Sequence, residues 1–175
     1  MPNYTREGKL TTPITDKEFL EGMKKGKFVK AEHKAYIVLL YYSAVRRQEA
    51  LNATRESFQV TKKDIVFDVG KRLKHGLHTP PLKIPRSLPY AETLATQILE
   101  TEKGQKVFGF CGRTAYRVVR RVFFYPHFFR LSRITNFFLQ GWTIAQVRSW
   151  TGLTLVALNY YIGLVDIDKM SRGLK

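Results

Sequence analysis

Between residues 57 and 85 the hydrophobic period of this chain switches from the helical repeat to strict alternation, and afterwards it switches back. Helices on either side of one small sheet accommodate that change; a parallel sheet or an all-β sandwich does not. Ile65, Phe67 and Val69 alternate with polar residues, so Asp64 to Val69 reads as a strand beside Ser57 to Val60. Lys62 and Lys63 form the turn between them. A basic hairpin tip follows from Gly70 to His78. Thr79 to Pro85 reads as a third strand, confined to a sheet edge by its prolines.

The flanks are helical. Thr15-Asp16-Lys17-Glu18 is a capping-box pattern that starts a short helix, ending near Gly26. A longer pattern from Ala31 to Val45 puts Ile37, Leu40, Tyr41, Ala44 and Val45 on one apolar face, and it continues through Arg46 to Leu51. After Pro89 the pattern predicts helices over residues 89–102, 112–123, 127–140, 143–151 and 154–163. Gly104, Gly109, Gly112, Pro126, Gly141 and Gly152 punctuate them. The expected fold is α+β and mainly α, a helical domain with a small three-stranded antiparallel sheet. Residues 1–12 read as a flexible arm and 13–175 as one domain.

Charge narrows the partners. The chain has 30 Lys and Arg against 14 Asp and Glu, a formal net charge of +16. Such a field favours a polyanion, most often nucleic acid. A basic ribosomal-type protein, a binder of anionic membranes and simple solubility are the blander sources of the same charge. Cys111 is the single cysteine, so no disulfide forms within the chain, which suits a reducing compartment. No apolar run is long enough for a transmembrane helix, and Met1 to Leu10 lacks the apolar core of a secretory signal. The expected setting is the cytoplasm, at the nucleoid.

Four segments carry candidate chemistry, and each has an ordinary structural reading. Arg46 ends a mostly apolar helix, where its stem packs and its head reaches water. Lys71-Arg72-Leu73-Lys74-His75 sits on the hairpin tip, either solvated or facing a phosphate. His127 and Arg130 share a helix face as an HxxR pair and can address one ligand. Tyr160 and Tyr161 lie in an apolar helix, usually a core position with the hydroxyl at the rim. No zinc spacing joins His75 and His78 to Cys111 or His127, and no phosphate-cradling GxxxxGK[ST] loop occurs, so neither metal nor nucleotide is expected.

The order Arg, Lys, HxxR, Tyr resembles the catalytic domain of the tyrosine recombinase (phage-integrase) family, and the likeness covers about residues 13 to 170. Ser43 to Leu51 is similar to the family's TGLRxSEaL segment, with Arg46 and Glu49 on its arginine and glutamate. Leu82-Lys83-Ile84-Pro85 resembles the proline-containing strand after the lysine hairpin. His127 to Gly141 matches HxLRHSxAThLLxxG without a gap, with Arg130, Ser132 and Thr135 in register. Gly152, eleven residues on, falls on the glycine of the LGH segment. Tyr161 follows nine residues after it, one fewer than is usual, and Tyr161-Ile162-Gly163-Leu164 is similar to the YxHL ending. Asp168 falls where an acidic residue is common.

The resemblance implies a DNA breaking-rejoining fold and a chemistry. Tyr161, or Tyr160 in a shifted register, would attack phosphorus and form a 3′-phosphotyrosyl link without metal, ATP or other cofactor. Arg46 and Arg130 would hold the non-bridging oxygens, His127 would assist the tyrosine, and Lys74 or Lys71 would protonate the 5′-oxygen. Lys74 lies nearer Pro85, as family spacing prefers; Lys71 follows a glycine, as in Xer-type members. Leu153 departs from the pattern, which has His or Trp there, and Trp150 lies one turn back as an alternative donor. The implied partner is double-stranded DNA, gripped by Lys71, Arg72, His75, Arg113, Arg117, Arg120, Arg121 and Arg133, with Lys24, Lys25, Lys27 and Lys30 as further contacts. A homo-tetramer on two duplexes is implied, with a monomer in isolation; no membrane is. The family's separate N-terminal DNA-clamping domain has no room here. A catalytically impaired DNA-binding relative, a type IB topoisomerase or telomere resolvase, and a basic RNA-binding or ribosome-associated protein are the competing readings. A viral or other mobile-element origin is expected from the family alone.

Overall fold

Thr15 begins the first helix as its sequence implies. Its Oγ1 accepts the Glu18 N–H at 3.2 Å, and the Glu18 carboxylate accepts the Thr15 N–H at 2.7 Å. The computed structural model describes residues 13–70, 80–122 and 126–162. In them the helices are α1 (Asp16–Lys25), α2 (Ala31–Ser43) and α3 (Arg47–Asn52), then after the sheet α4 (Ala91–Glu100), α5 (Gly112–Arg120), α6 (Pro126–Leu139), α7 (Ile144–Thr151) and α8 (Leu155–Ile162). The sheet consists of β1 (Phe58–Val60), β2 (Asp64–Phe67) and β3 (Leu82–Pro85). The mainly helical reading with one small antiparallel sheet holds. The segments assigned to the arm (1–12), the hairpin tip from Lys71 and the chain beyond Ile162 lie outside the described residues.

The strands pair antiparallel in the order β1-β2-β3, which puts the proline-bounded strand at an edge. Phe58, Phe67 and Leu82 stand opposite one another, as do Val60, Ile65 and Ile84. These residues face the core, and Gln59, Val66 and Lys83 form the outer row. Strands β2 and β3 are shorter than the alternation suggests, ending at Phe67 and beginning at Leu82. Arg86 straps the edge down: its guanidinium donates to Glu92 at 2.6 and 2.7 Å and to the Thr61 carbonyl at 2.9 Å.

The central helix corrects two expectations. First, α2 has no single apolar face. Every residue from Ala35 to Ser43 is buried, because α3, α4, α5, α6 and β3 surround it. A helix enclosed on all sides needs no polar stripe. Second, the helix does not run through Arg46 to Leu51. It stops at Ala44, whose left-handed φ of 55° no helix tolerates. The Ser43 hydroxyl donates back to the Leu39 carbonyl at 2.5 Å, and Glu49 takes the Arg46 N–H at 2.6 Å to open α3 afresh.

Helix α6 also fixes the entry of the chain. Ser132 Oγ accepts the Ile14 N–H at 3.2 Å, and Asn136 Nδ2 donates to the Ile14 carbonyl at 2.9 Å. These residues are four apart and share one face of α6. Ile14 is only 1% exposed, so its backbone has no water to turn to. Ser132→Ala orphans that N–H. It should cost about 1–3 kcal/mol, read as a lower urea midpoint with an unchanged slope.

Candidate active site

The deepest functional side chain is Arg130. It is 1% exposed, on the inner side of α6. Its Nη1 donates to the Ala44 carbonyl, and its Nη2 donates to the Thr151 carbonyl at 3.1 Å. One guanidinium therefore joins the end of α2 to the last residue of α7. A buried cation is tolerable only with such partners, and the carbonyls at a helix C-terminus carry partial negative charge that suits it. Ala44 stands on the glycine of the family's TGLR segment, and it holds the left-handed conformation that glycine adopts without penalty.

Arg46 lies at the rim. It is the N-cap residue of α3, and its side chain is 45% exposed. Glu49 binds its backbone N–H at 2.6 Å and its Nη1 at 2.8 Å, so one carboxylate sets both the turn and the guanidinium. A cleft beside it is lined by Gln48, Glu49, Asn52, Phe67 and Asp68, between α3 and the sheet. The expected Lys71, Arg72, Lys74 and His75 lie outside the described residues.

His127 begins the turn before Arg130 and is exposed. Desolvation pulls its imidazole below the ordinary range, and the positive charges of Arg130 and then Arg46 push it the same way. The ring is open to solvent on one side and partly desolvated on the other, and the charges of both arginines reach it.

Helix α8 packs on α6 and α7. Of its two tyrosines, Tyr161 turns inward at 6% exposed and Tyr160 outward at 55%. Their rings meet edge to face at 5.6 Å. Leu153 is buried and offers only a backbone N–H, which donates to Thr151 Oγ1 at 3.3 Å. Trp150 is not the substitute donor considered above. Its Nε1 already donates to the Ser43 carbonyl at 3.0 Å, and an indole has no second donor. Trp142 and Phe137 hold its ring in place, edge to face at 5.7 and 5.8 Å.

The basic surface divides. Arg113, Arg117, Arg120 and Arg121 are exposed along α5 and its end, while Ala115, Val118 and Val119 point inward. Arg121 Nη1 donates to the Lys27 carbonyl at 3.4 Å. That contact joins the row to the exposed Lys24, Lys25, Lys27 and Lys30. Arg133 does not belong to this surface. It lies 3.7 Å from Asp16 and stacks over Phe137 at 4.8 Å and Tyr41 at 5.7 Å, so it ties α6 to α1 instead of reaching solvent. The sequence reading also passed over Ser43, Thr151 and Asn136. The carbonyls of Ser43 and Thr151 accept from the distant Trp150 and Arg130, and Asn136 Nδ2 reaches the Ile14 carbonyl, contacts that leave no local pattern. Among the described residues no three His, Cys, Asp or Glu cluster closely enough to hold a metal ion. No described helix is long and apolar enough to cross a membrane.

No family model matches the sequence, and no curated protein matches it either. Solved structures do match by fold. The XerA recombinase superposes with a TM-score of 0.67 at 14% identity, over 92% of this chain and 62% of that one. The fold is that of a tyrosine recombinase catalytic domain. The XerH site-specific recombinase bound to difH in a pre-cleavage complex has the same fold, with a TM-score of 0.65, 15% identity and coverage of 91% and 56%. So does the Tn1549 transposon integrase with circular intermediate DNA, at 0.63, 14%, 89% and 63%. This recombinase fold thus spans little more than half the length of those chains.

Burial separates the two arginines experimentally. Arg130→Ala strands two buried carbonyls and opens a cavity, which should cost about 3–5 kcal/mol in urea unfolding. Arg46→Ala removes a partly exposed pair and should stay within about 1 kcal/mol.

Proposed function

We propose that this chain is the catalytic domain of a site-specific DNA recombinase or integrase that cuts and rejoins DNA through Tyr161. The observation that supports this most is that the exposed His127 at the start of α6 feels the charges of both Arg130, one turn on, and Arg46 at the α3 cap, in a chain with the recombinase fold. Arg46 presents a planar, permanently charged fork suited to a phosphodiester's non-bridging oxygens, and Arg130, each of whose Nη groups gives one hydrogen to a carbonyl, supplies fixed positive charge from beneath with a second N–H on each. His127 is desolvated and flanked by cations, so it is neutral at pH 7 and can accept a proton. Tyr161 Oη attacks phosphorus, its proton passes toward His127, and the bond to the 5′-oxygen breaks. Lys74, or Lys71, protonates that leaving oxygen. The 3′-phosphotyrosyl link keeps the energy of the broken bond, so the reverse attack by a 5′-hydroxyl rejoins DNA without ATP or metal. Double-stranded DNA is the partner, held by α5 and the lysines around Lys27. A tetramer on two duplexes performs the exchange.

A second reading is a DNA-binding relative with impaired cleavage. Leu153 favours it, because the site has no side-chain donor there and Trp150 is committed to Ser43.

The test is adduct formation on nicked suicide duplexes with a randomised central segment, in EDTA, read on a denaturing gel. A covalent adduct that Tyr161→Phe abolishes and Tyr160→Phe retains is the expected result. Loss in Tyr160→Phe alone moves the nucleophile by one residue. Salt-sensitive DNA binding with no adduct from any duplex favours the impaired relative.

The adduct rate should also depend on pH with a defined sign. The His127 pKa lies below 6.5, so the rate holds through neutral pH and falls only as acid protonates the ring. His127→Gln should remove that acid limb and slow cleavage by at least about 10².

A further inference from the structure

The arginine that follows Arg46 holds nothing together among the described residues. Arg47 is the first residue of α3 and is exposed. Among the described residues it makes no side-chain hydrogen bond or ion pair. The other arginines near the site do: Arg46 with Glu49, Arg130 with two carbonyls, Arg133 with Asp16. Its position is nevertheless defined. A side chain added at Gly112 would meet the Arg47 guanidinium carbon at 3.9 Å, so the guanidinium rests against the first residue of α5. Its charge is felt by the buried Tyr36 hydroxyl of α2. Arg47 therefore lies over the seam of α2, α3 and α5.

That seam separates two basic features that otherwise do not meet. On one side is the rim arginine, Arg46. On the other, α5 carries exposed Arg113, Arg117 and Arg120 one turn apart, a row about 10 Å long. Phosphates of one strand succeed each other at about 3.4 Å of axial rise, so the row spans several of them. Arg47 follows Arg46 in the chain and rests against Gly112 at the start of α5, so it stands between the rim arginine and the row. Exposed arginine without an internal partner is suited to a phosphate, since its fork is preorganised and loses no protein contact on binding.

Resting on the reading of the cleft as a DNA-cleavage site, we propose that Arg47 is a phosphate anchor: it grips the backbone phosphate next to the scissile one and so positions the scissile phosphate between Arg46 and Arg130. It takes no part in bond breaking.

The test compares wild type with Arg47→Ala, Arg47→Lys and Lys103→Ala, the last removing one exposed charge that belongs to neither the α5 row nor the rim. Binding to a short mixed-sequence duplex is measured against salt, and the adduct rate is measured on duplexes captured by wild type. Arg47→Ala should flatten the salt dependence by about one unit of slope and weaken binding about tenfold, while Lys103→Ala leaves the slope unchanged. Arg47→Lys should restore the slope but only part of the affinity. Among captured duplexes, one with a neutral methylphosphonate beside the cleaved phosphate should bind wild type less tightly and Arg47→Ala no less tightly than its unmodified form. Wild-type slope and affinity in Arg47→Ala, with adduct formation intact, overturn the inference and leave the cleavage reading standing. An equal methylphosphonate penalty in both proteins does the same. A wild type that forms no adduct and binds DNA without salt dependence overturns both.

Discussion

The buried guanidinium of Arg130 is the interaction on which the rest of the site depends. It joins carbonyls at residues 44 and 151, which lie at the ends of two helices far apart in sequence. A charge with 1% exposure cannot wait for its partners, because desolvation without them costs several kcal/mol. The ends of α2 and α7 therefore have to be in place for the core to close. The placement of the candidate site and the stability of the fold rest on the same contact. Trp150 reinforces it by bonding the neighbouring Ser43 carbonyl.

The break at Ala44 follows from that arrangement. A continuous helix from Ala31 to Leu51 would keep its carbonyls in internal hydrogen bonds and leave Arg130 with the Thr151 carbonyl but without that of Ala44. The left-handed turn frees the Ala44 carbonyl and redirects the chain, so that Arg46 opens a new helix at the rim. The cost is an unfavourable backbone conformation for a residue with a Cβ, on the order of 1 kcal/mol. Helix α2 is enclosed on every side, and that rigid setting holds the turn in place. The rim residues stay exposed where a long polyanion can reach them, while the groups that hold them are dry.

Much of this was legible in the sequence for a local reason. The capping box at Thr15, the alternation of Ile65 and Phe67, and the face shared by His127 and Arg130 each depend on residues within a few positions of one another. What sequence reading misjudged was nonlocal. Arg133 looked like one more surface cation, and only the approach of α1 and α2 to α6 brings Asp16 and the ring of Tyr41 to it, beside Phe137 of its own helix. Trp150 looked like a spare donor at the right distance from Leu153, and only the approach of α7 to α2 commits its N–H. The single apolar stripe assigned to α2 failed because enclosure on all sides erases amphipathicity.

The sequence by itself determined the order of elements, the small edge-protected sheet, the basic character of the surface and the set of residues able to address a phosphate. Those follow from periodicity, turn chemistry and charge, which nearest neighbours in the chain decide. Tertiary structure alone decided which of the polar residues face solvent and which face the protein. Arg46, Arg47, Arg130 and Arg133 are the same residue type, yet one is a rim donor, one stands free over a helix seam, one is a buried clamp and one is a strut. The difference lies in what lies opposite each guanidinium, and the groups opposite Arg130 and Arg133 come from parts of the chain 21, 86 and more residues away.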